Sequence, residues 1–333
     1  MVRQVRRLVC AVGMAAVLGV GATAARAEVK LSLVYPFPDF LVYTKSCKLL
    51  ADSLNQAGAG KFSVEVKPFN SIGMFQQASA IQKGVVDFTC LPAAFYGRSV
   101  PENEAISTSN SGPADVRANG GMKIIDDLHQ KYMNMKYLAW VDSGVAFHIY
   151  MKEPPTFTSD GMPNLTGVKM RDNPIYGAFF RALQAETHQM KSTEVYPALQ
   201  KGVVNASAWT SIGVMSLKWD EFLKHRLDPE FYQTDIGLIM NLDKWKSLDP
   251  ALQEIIQRTA IEHENASRAA RQAEVAKEAE ELKAKGMTFH DVPNPADYIK
   301  LSVDSAYDRM EARLKDSGRP LDWAKQLRTL YQK

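Results

Sequence analysis

Among the ionisable residues of this sequence, Arg171 has the setting best suited to chemistry. It stands in the run Lys169-Met170-Arg171-Asp172-Asn173-Pro174, where a β-type stretch (165–170) gives way to a helical one (175–183). In an open α/β sheet, ligands settle beyond the carboxyl ends of the strands. A guanidinium placed there offers a flat fork that grips a carboxylate by both oxygens. The N-terminus of the following helix adds positive potential. The competing reading is a structural ion pair, with Asp172 the nearest partner.

Catalytic machinery is hard to assemble from the remainder. His129, His148, His188, His225, His263 and His290 show no i, i+4 metal spacing, and neither a Gly-x-Ser-x-Gly elbow nor a Gly-rich phosphate loop is present. His263-Glu264-Asn265 falls in a long helical stretch and reads as solvated surface. No carboxylate pair has a motif that argues for acid–base work, and no Cys/His spacing suggests a metal. No cofactor is therefore expected.

The elements that position Arg171 are of a β-α-β kind. A strand at 30–35 is followed by a Pro36-Phe37-Pro38-Asp39 break, a helix at 41–54, a strand at 62–66, a helix at 74–83 and a strand at 85–91. This alternation predicts a mostly parallel sheet with helices on its faces. The same order recurs around Arg171, with a helix from Ser192 or Thr193, either able to cap it, to Lys201, and a strand at 203–208. The two halves also share a literal repeat: Ile81-Gln82-Lys83-Gly84-Val85-Val86-Asp87 matches Leu199-Gln200-Lys201-Gly202-Val203-Val204-Asn205. In each a helix ends at a glycine able to take the left-handed conformation, and paired valines suit a buried strand. Two related lobes follow. A helix from Asp249, an N-cap followed by Pro250, to Lys285 would be roughly 54 Å long, enough to lie across both lobes unless it kinks near Glu264-Asn265. A strand-like stretch at 286–292 and a last helix at 297–314 complete the chain.

The N-terminus bears on compartment. Arg3, Arg6 and Arg7 precede an apolar run over 8–18, and Ala25-Arg26-Ala27 fits small-x-small cleavage, as in a secretory signal peptide. Cleavage is expected after Ala27. Residues 1–27 carry four arginines and no acid, so the remaining 306 residues hold 36 basic against 37 acidic side chains, a net charge of −1. No basic patch suggests a nucleic-acid partner. The remaining cysteines, Cys47 and Cys90, could form a disulfide in an exported protein or stay as two buried thiols.

Several segments together resemble the solute-binding component of tripartite ATP-independent periplasmic (TRAP) transporters. These are Gly167-Val168-Lys169-Met170-Arg171, Tyr176-Gly177-Ala178-Phe179-Phe180-Arg181-Ala182-Leu183, and Thr193 through Val204, with Asn70-Ser71-Ile72-Gly73 and Gly84-Val85-Val86-Asp87-Phe88 in the first half. Met240 through Leu248, followed by the long helical stretch, matches further on. The resemblance implies an α/β, two-lobed periplasmic binding protein fold with a long helix spanning both lobes, and a cleft that closes by hinge motion. It implies that Arg171 clamps a ligand carboxylate and that a membrane permease, driven by ion gradients and not by ATP, is the partner. The lobes are expected at 28–150 plus about 238–280, and at 151–237 plus about 281–333.

The sequence also departs from the family's pattern. Asn205-Ala206-Ser207-Ala208-Trp209-Thr210 replaces the usual Asp-Gly-x-Glu-Asn-Pro, so Trp209 stands where a ligand-touching Asn is common. Gly144-Val145-Ala146-Phe147-His148 lacks a second arginine. These changes argue against a polyhydroxylated sugar acid and for a carboxylate with an apolar or aromatic body, since an indole face stacks on rings. Expected ligand contacts are Arg171, Asn173, Trp209 and Thr210, with Phe40, Phe75, Phe95 and Tyr96 on segments that face the cleft in this family. The alternatives are a binding protein of ABC or tricarboxylate-receptor type, a sensor accessory, and a periplasmic enzyme.

Overall fold

The computed structural model describes residues 27–333, so the expected leader, apart from Ala27, lies outside the described residues. Among the described residues, eleven strands form two sheets: β1 (Val29–Val34), β2 (Phe62–Val66), β3 (Phe88–Pro92), β4 (Met135–Trp140), β5 (Phe147–Met151), β6 (Lys169–Asp172), β7 (Glu186–Gln189), β8 (Ala206–Thr210), β9 (His225–Asp228), β10 (Ile236–Asn241) and β11 (Thr288–Asp291). The first sheet has the order β2-β1-β3-β10-β4 and the second β11-β9-β5-β8-β6-β7. β1, β2 and β3 pair in parallel, as do β6, β7 and β8. One strand in each sheet runs against its neighbours: β10 between β3 and β4, and β5 between β8 and β9. β5 follows β4, and β10 follows β9, so the chain crosses from one lobe to the other at 141–146 and again at 229–235. Central strands are buried along their whole length, as β8 and β10 are, which is why they read as apolar runs with little alternation.

The sequence repeat is one structural device used twice. Gly84 and Gly202 have φ of 69° and 68°. Behind each, the next amide bonds back into the helix, Val85 N–H to Ala80 O and Val203 N–H to Ala198 O, both at 2.9 Å. Asp87 then accepts the Ser32 N–H at 2.8 Å and Asn205 accepts the Lys169 N–H at 2.9 Å, so each closes the turn onto the parallel strand next to the one that follows, β1 beside β3 and β6 beside β8. The valines do not both enter a strand, however. Val85 and Val203 are exposed while Val86 and Val204 are buried, and β3 and β8 each begin three residues later than expected, at Phe88 and Ala206. The left-handed glycine turns the chain outward for one residue before it enters the sheet.

The long helix is unbroken from Pro250 to Ala284, with Asp249 capping it through a bond from Ala251 N–H. It binds both lobes. Leu252, Ile255, Ile256 and Ala260 are packed in the core. Glu264 accepts the Trp140 N–H at 2.7 Å and pairs with Arg117. Beyond it, Glu278 accepts the Gly213 N–H at 2.6 Å. The reading of His263-Glu264-Asn265 as solvated surface holds for the exposed Asn265 but fails for Glu264. Glu264 is 1 % exposed because this face of the helix lies against the end of β4, and His263 contacts Ser46 Oγ at 3.0 Å.

The choice left open for the two cysteines is resolved, and the expected lobe bounds shift. Cys47 and Cys90 form a disulfide, joining the helix Val42–Ala57 to β3. The C-terminal segment does not stay with the second lobe. Tyr307, Met310 and Leu314 of the helix Pro295–Asp316, and Ala324, Leu327 and Tyr331 of a further helix, Asp322–Tyr331, pack with Ile125 and Met135 of the first lobe. The start of this segment still meets the second-lobe core, through Val292, Tyr298 and Ala306 with the partly buried Ile299 and Leu301. β5 also falls in the second sheet, so the first crossing precedes residue 150. No helix among the described residues is long and apolar enough to cross a membrane.

Candidate functional site

A cavity lies where the two sheets meet, beyond the carboxyl ends of β1, β3, β6 and β8. Phe37, Phe75 and Phe95 line it from the first lobe, and Arg171, Asn173 and Trp209 from the second. Thr234 and Asp235, on the second crossing segment, lie between. The free space between these walls is about 30 Å³, room for a water or two. Ligand pockets run to hundreds of Å³, so the lobes must part to admit an organic molecule.

Arg171 is the penultimate residue of β6 and is 3 % exposed. Its Nε and Nη2 donate to Met190 O at 3.1 and 2.9 Å, and its Nη1 donates to the Tyr176 hydroxyl. That hydroxyl donates on to Ala208 O at 2.9 Å, tying β6 to β8. Three aromatic rings surround the guanidinium, those of Tyr176, Trp209 and Trp219, at 5.9, 6.0 and 5.8 Å from its carbon. No carboxylate pairs with Arg171 among the described residues. The suspected partner, Asp172, lies 3.8 Å from Arg181 instead, and burial pushes its carboxyl above the usual range. Of the five N–H groups a guanidinium carries, three are spent and two remain beside the cavity.

Ser192 adds a polar group to the same wall. It was expected as a helix cap, but the helix Ser192–Gln200 is capped at Lys191, whose N–H is bonded by Glu194 at 2.9 Å. Displaced to the first helical position, Ser192 is buried at the cavity with its Oγ unbonded. Asn173 uses its Oδ1 on the Ile175 N–H at 2.8 Å. Thr210 is fully engaged: its Oγ1 accepts from the Tyr43 hydroxyl and donates to Ile212 O, both at 2.7 Å.

The apolar wall is a set of rings in edge contact, the arrangement aromatic quadrupoles favour. Phe37 sits centrally, 6.1 Å from Tyr43, 6.2 Å from Phe95 and, across the lobes, 6.3 Å from Trp209. Phe75 lies 5.0 Å from Phe95. Trp209 packs at 5.0 Å on Trp219, so it belongs to the core as well as to the cavity wall.

The cavity thus gathers Arg171, Asn173, Trp209, Thr210, Phe75 and Phe95 from the residues singled out in the sequence. It does not gather Phe40 or Tyr96. Phe40 is 49 % exposed, because the turn after β1 directs Phe37 inward and leaves Phe40 on its outer side. Tyr96 is buried behind the wall, hydrogen-bonded to His129 at 2.9 Å. Sequence reasoning missed Tyr43, Phe147, Thr234 and Asp235, which come from segments with no motif. Arg171 is the one cationic side chain lining this cavity among the described residues.

The match to known proteins extends over most of the chain. Residues 38–312 match the family described as Bacterial extracellular solute-binding protein, family 7. A solute-binding protein of Verminephrobacter eiseniae is 25 % identical over 256 residues, covering 75 % of each chain. A TRAP periplasmic solute-binding protein from Desulfovibrio salexigens with bound orotic acid superposes with a TM-score of 0.78 at 19 % identity, over 91 % of this chain and 99 % of that one. A Bordetella pertussis extracytoplasmic solute receptor binding pyroglutamic acid gives 0.74 at 16 % identity, with the same coverage. The two-sheet architecture and a match spanning both lobes agree: the chain belongs to family 7 of the bacterial extracellular solute-binding proteins and has the two-lobed fold of TRAP solute receptors.

Proposed function

We propose that this protein is the periplasmic receptor of a TRAP-type uptake system and that it captures a carboxylate whose body is apolar or aromatic. The observation that carries the reading is Arg171, a buried cation on a cavity wall with two N–H groups unspent and no acidic partner among the described residues. Leaving a charge buried and unpaired is costly, and a ligand carboxylate would remove that cost. Hydrogen bonds to charged groups are worth about 1.5–3 kcal/mol, more once closure excludes water.

In this reading the open receptor admits the acid, Arg171 and Ser192 engage its carboxylate, and the rings of Phe37, Phe75, Phe95 and Trp209 close over its body. The closed form would deliver the ligand to membrane permease subunits and reopen. Export through the N-terminal leader is expected, with cleavage after Ala27. Orotic and pyroglutamic acids, bound by the two structural relatives above, are ring carboxylates of this general kind. A receptor for an ABC or tricarboxylate system would use the same trap with another membrane partner.

The test is the melting temperature of residues 28–333 with aliphatic, keto, sugar and aromatic carboxylates, for the natural protein and for Arg171→Ala. Ligand at 100 times its Kd should add about 2.7 kcal/mol. A rise confined to one acid class and lost in Arg171→Ala is the expected result. A rise that survives in Arg171→Ala would remove the clamp.

A further inference from the structure

Asp235 adds an acid to the polar groups that line the cavity. It is 1 % exposed, on the crossing segment just before β10, and lines the cavity between the lobes. One carboxylate oxygen, Oδ2, accepts the Ala94 N–H at 2.7 Å, and the backbone carbonyl of Asp235 accepts the Ala93 N–H at 3.0 Å. These two bonds fix the side chain against the short turn that follows β3. The other oxygen, Oδ1, is buried with no hydrogen-bond partner. No cation bridges to it among the described residues, and burial, reinforced by Glu104, pushes the carboxyl up to about 7.

A buried acceptor left open on a ligand cavity is a specificity element, because a site built around a hydrogen bond rejects analogues that lack it. Arg171, on the same cavity, carries only donors, so it answers a different group of the ligand. Resting on the carboxylate reading above, we propose that the ligand is bifunctional, with its carboxylate on Arg171 and a hydrogen-bond donor, N–H or O–H, on Asp235 Oδ1. The aromatic rings that line the same cavity favour a flat, compact body, and Asp235 selects which substituent it bears.

Asp235→Asn inverts this selection without changing side-chain size. The Ala94 N–H requires an acceptor, so the amide oxygen takes that position and the NH2 replaces Oδ1 at the cavity. The experiment measures Kd by titration calorimetry for two shape-matched pairs: pyrrole-2-carboxylate against 2-furoate, and 4-hydroxybenzoate against 4-fluorobenzoate. The first pair sets the donor beside the carboxylate and the second sets it at the far end. The natural receptor should favour the donor-bearing member of at least one pair by about ten-fold or more. Asp235→Asn should abolish or reverse that preference, and Arg171→Ala should weaken both members alike. Equal affinities within both pairs, or a preference unchanged in Asp235→Asn, would overturn the assignment of Asp235 while leaving the Arg171 clamp standing. No binding of any of the four acids to the natural protein would instead overturn the carboxylate reading and this one with it.

Discussion

The Tyr43 hydroxyl donates to Thr210 Oγ1 at 2.7 Å, and both residues are buried. Tyr43 belongs to the first-lobe helix Val42–Ala57 and Thr210 ends β8 in the second, so this bond is a latch across the cleft. Thr210 keeps its own bond to Ile212 O whether or not Tyr43 is present. Tyr43→Phe should therefore destabilise the closed form by about 0.5–1.5 kcal/mol. We expect ligand dissociation to speed up about two- to ten-fold, with association little changed. Stopped-flow quenching of the Trp209–Trp219 fluorescence would read this directly, and an unaltered dissociation rate would show that the latch plays no part in retention.

Arg171→Lys separates charge from shape. Lysine supplies a positive point charge but cannot bond Met190 O and Tyr176 at once and still present two parallel N–H groups to a carboxylate. Affinity should fall at least about ten-fold, roughly one charge-assisted hydrogen bond. Full affinity in this variant, measured by calorimetry, would mean that charge alone suffices.

The Cys47–Cys90 disulfide closes a loop with a sequence separation of 43. Chain-entropy arguments assign such a loop about 4 kcal/mol of stability, most of it exerted on the unfolded state. Cys47→Ser combined with Cys90→Ser should lower the urea midpoint accordingly. Ligand affinity should hold, since neither residue lines the cavity. Equal midpoints for the variant and the oxidised protein would contradict the bridge.

His129 is fully buried, its Nδ1–H donating to Ile125 O at 2.7 Å and its Nε2 receiving the Tyr96 hydroxyl. Burial holds its pKa down at about 4. The unfolded chain, with an ordinary imidazole near 6.5, binds more protons between those values, so stability from this residue is lost as pH falls from about 6.5 to 4. Asp142 and Asp235, pushed up to about 7 by burial, act in the opposite sense, favouring the folded state as pH falls over much of the same window. A whole-protein profile is thereby flattened, and the comparison with His129→Gln isolates the histidine. The stability difference between the two proteins should move by about 3 kcal/mol between pH 7 and 4, with the histidine form losing ground in acid. A difference independent of pH would mean that His129 titrates normally.

Local chemistry was legible in the sequence wherever a single segment decides it. The strand-to-helix placement of Arg171, the uninterrupted helix from Pro250, and the twin Gly84 and Gly202 turns are set by short-range patterns: a left-handed residue, a cap, a 3.6-residue period. The outcome at Val85 and Val203 was not legible, because both valines suit a strand and only the path out of the glycine turn exposes the first of each pair. Ser192 was read as a cap for a similar reason. Its neighbours Lys191 and Glu194 close the helix end instead, and that choice frees the hydroxyl for the cavity.

What only the tertiary structure decided is which residues meet between the lobes. Tyr43 and Thr210 are 167 positions apart and Ala94 and Asp235 are 141 apart. No period or motif links them, because their proximity depends on the chain crossing twice and inserting β10 into the first sheet. Phe37 and Phe40 are both aromatic and three residues apart, yet one reaches Trp209 and the other faces solvent, a division made by the turn after β1. The fate of Cys47 and Cys90 was open for the same reason, since a disulfide requires two Cβ vectors to converge and spacing along the chain does not fix that. The sequence by itself determined a two-lobed α/β receptor with one well-placed arginine. Packing across the cleft decided that this arginine lacks an acidic partner among the described residues and that Asp235 lies on the same cavity with an open acceptor.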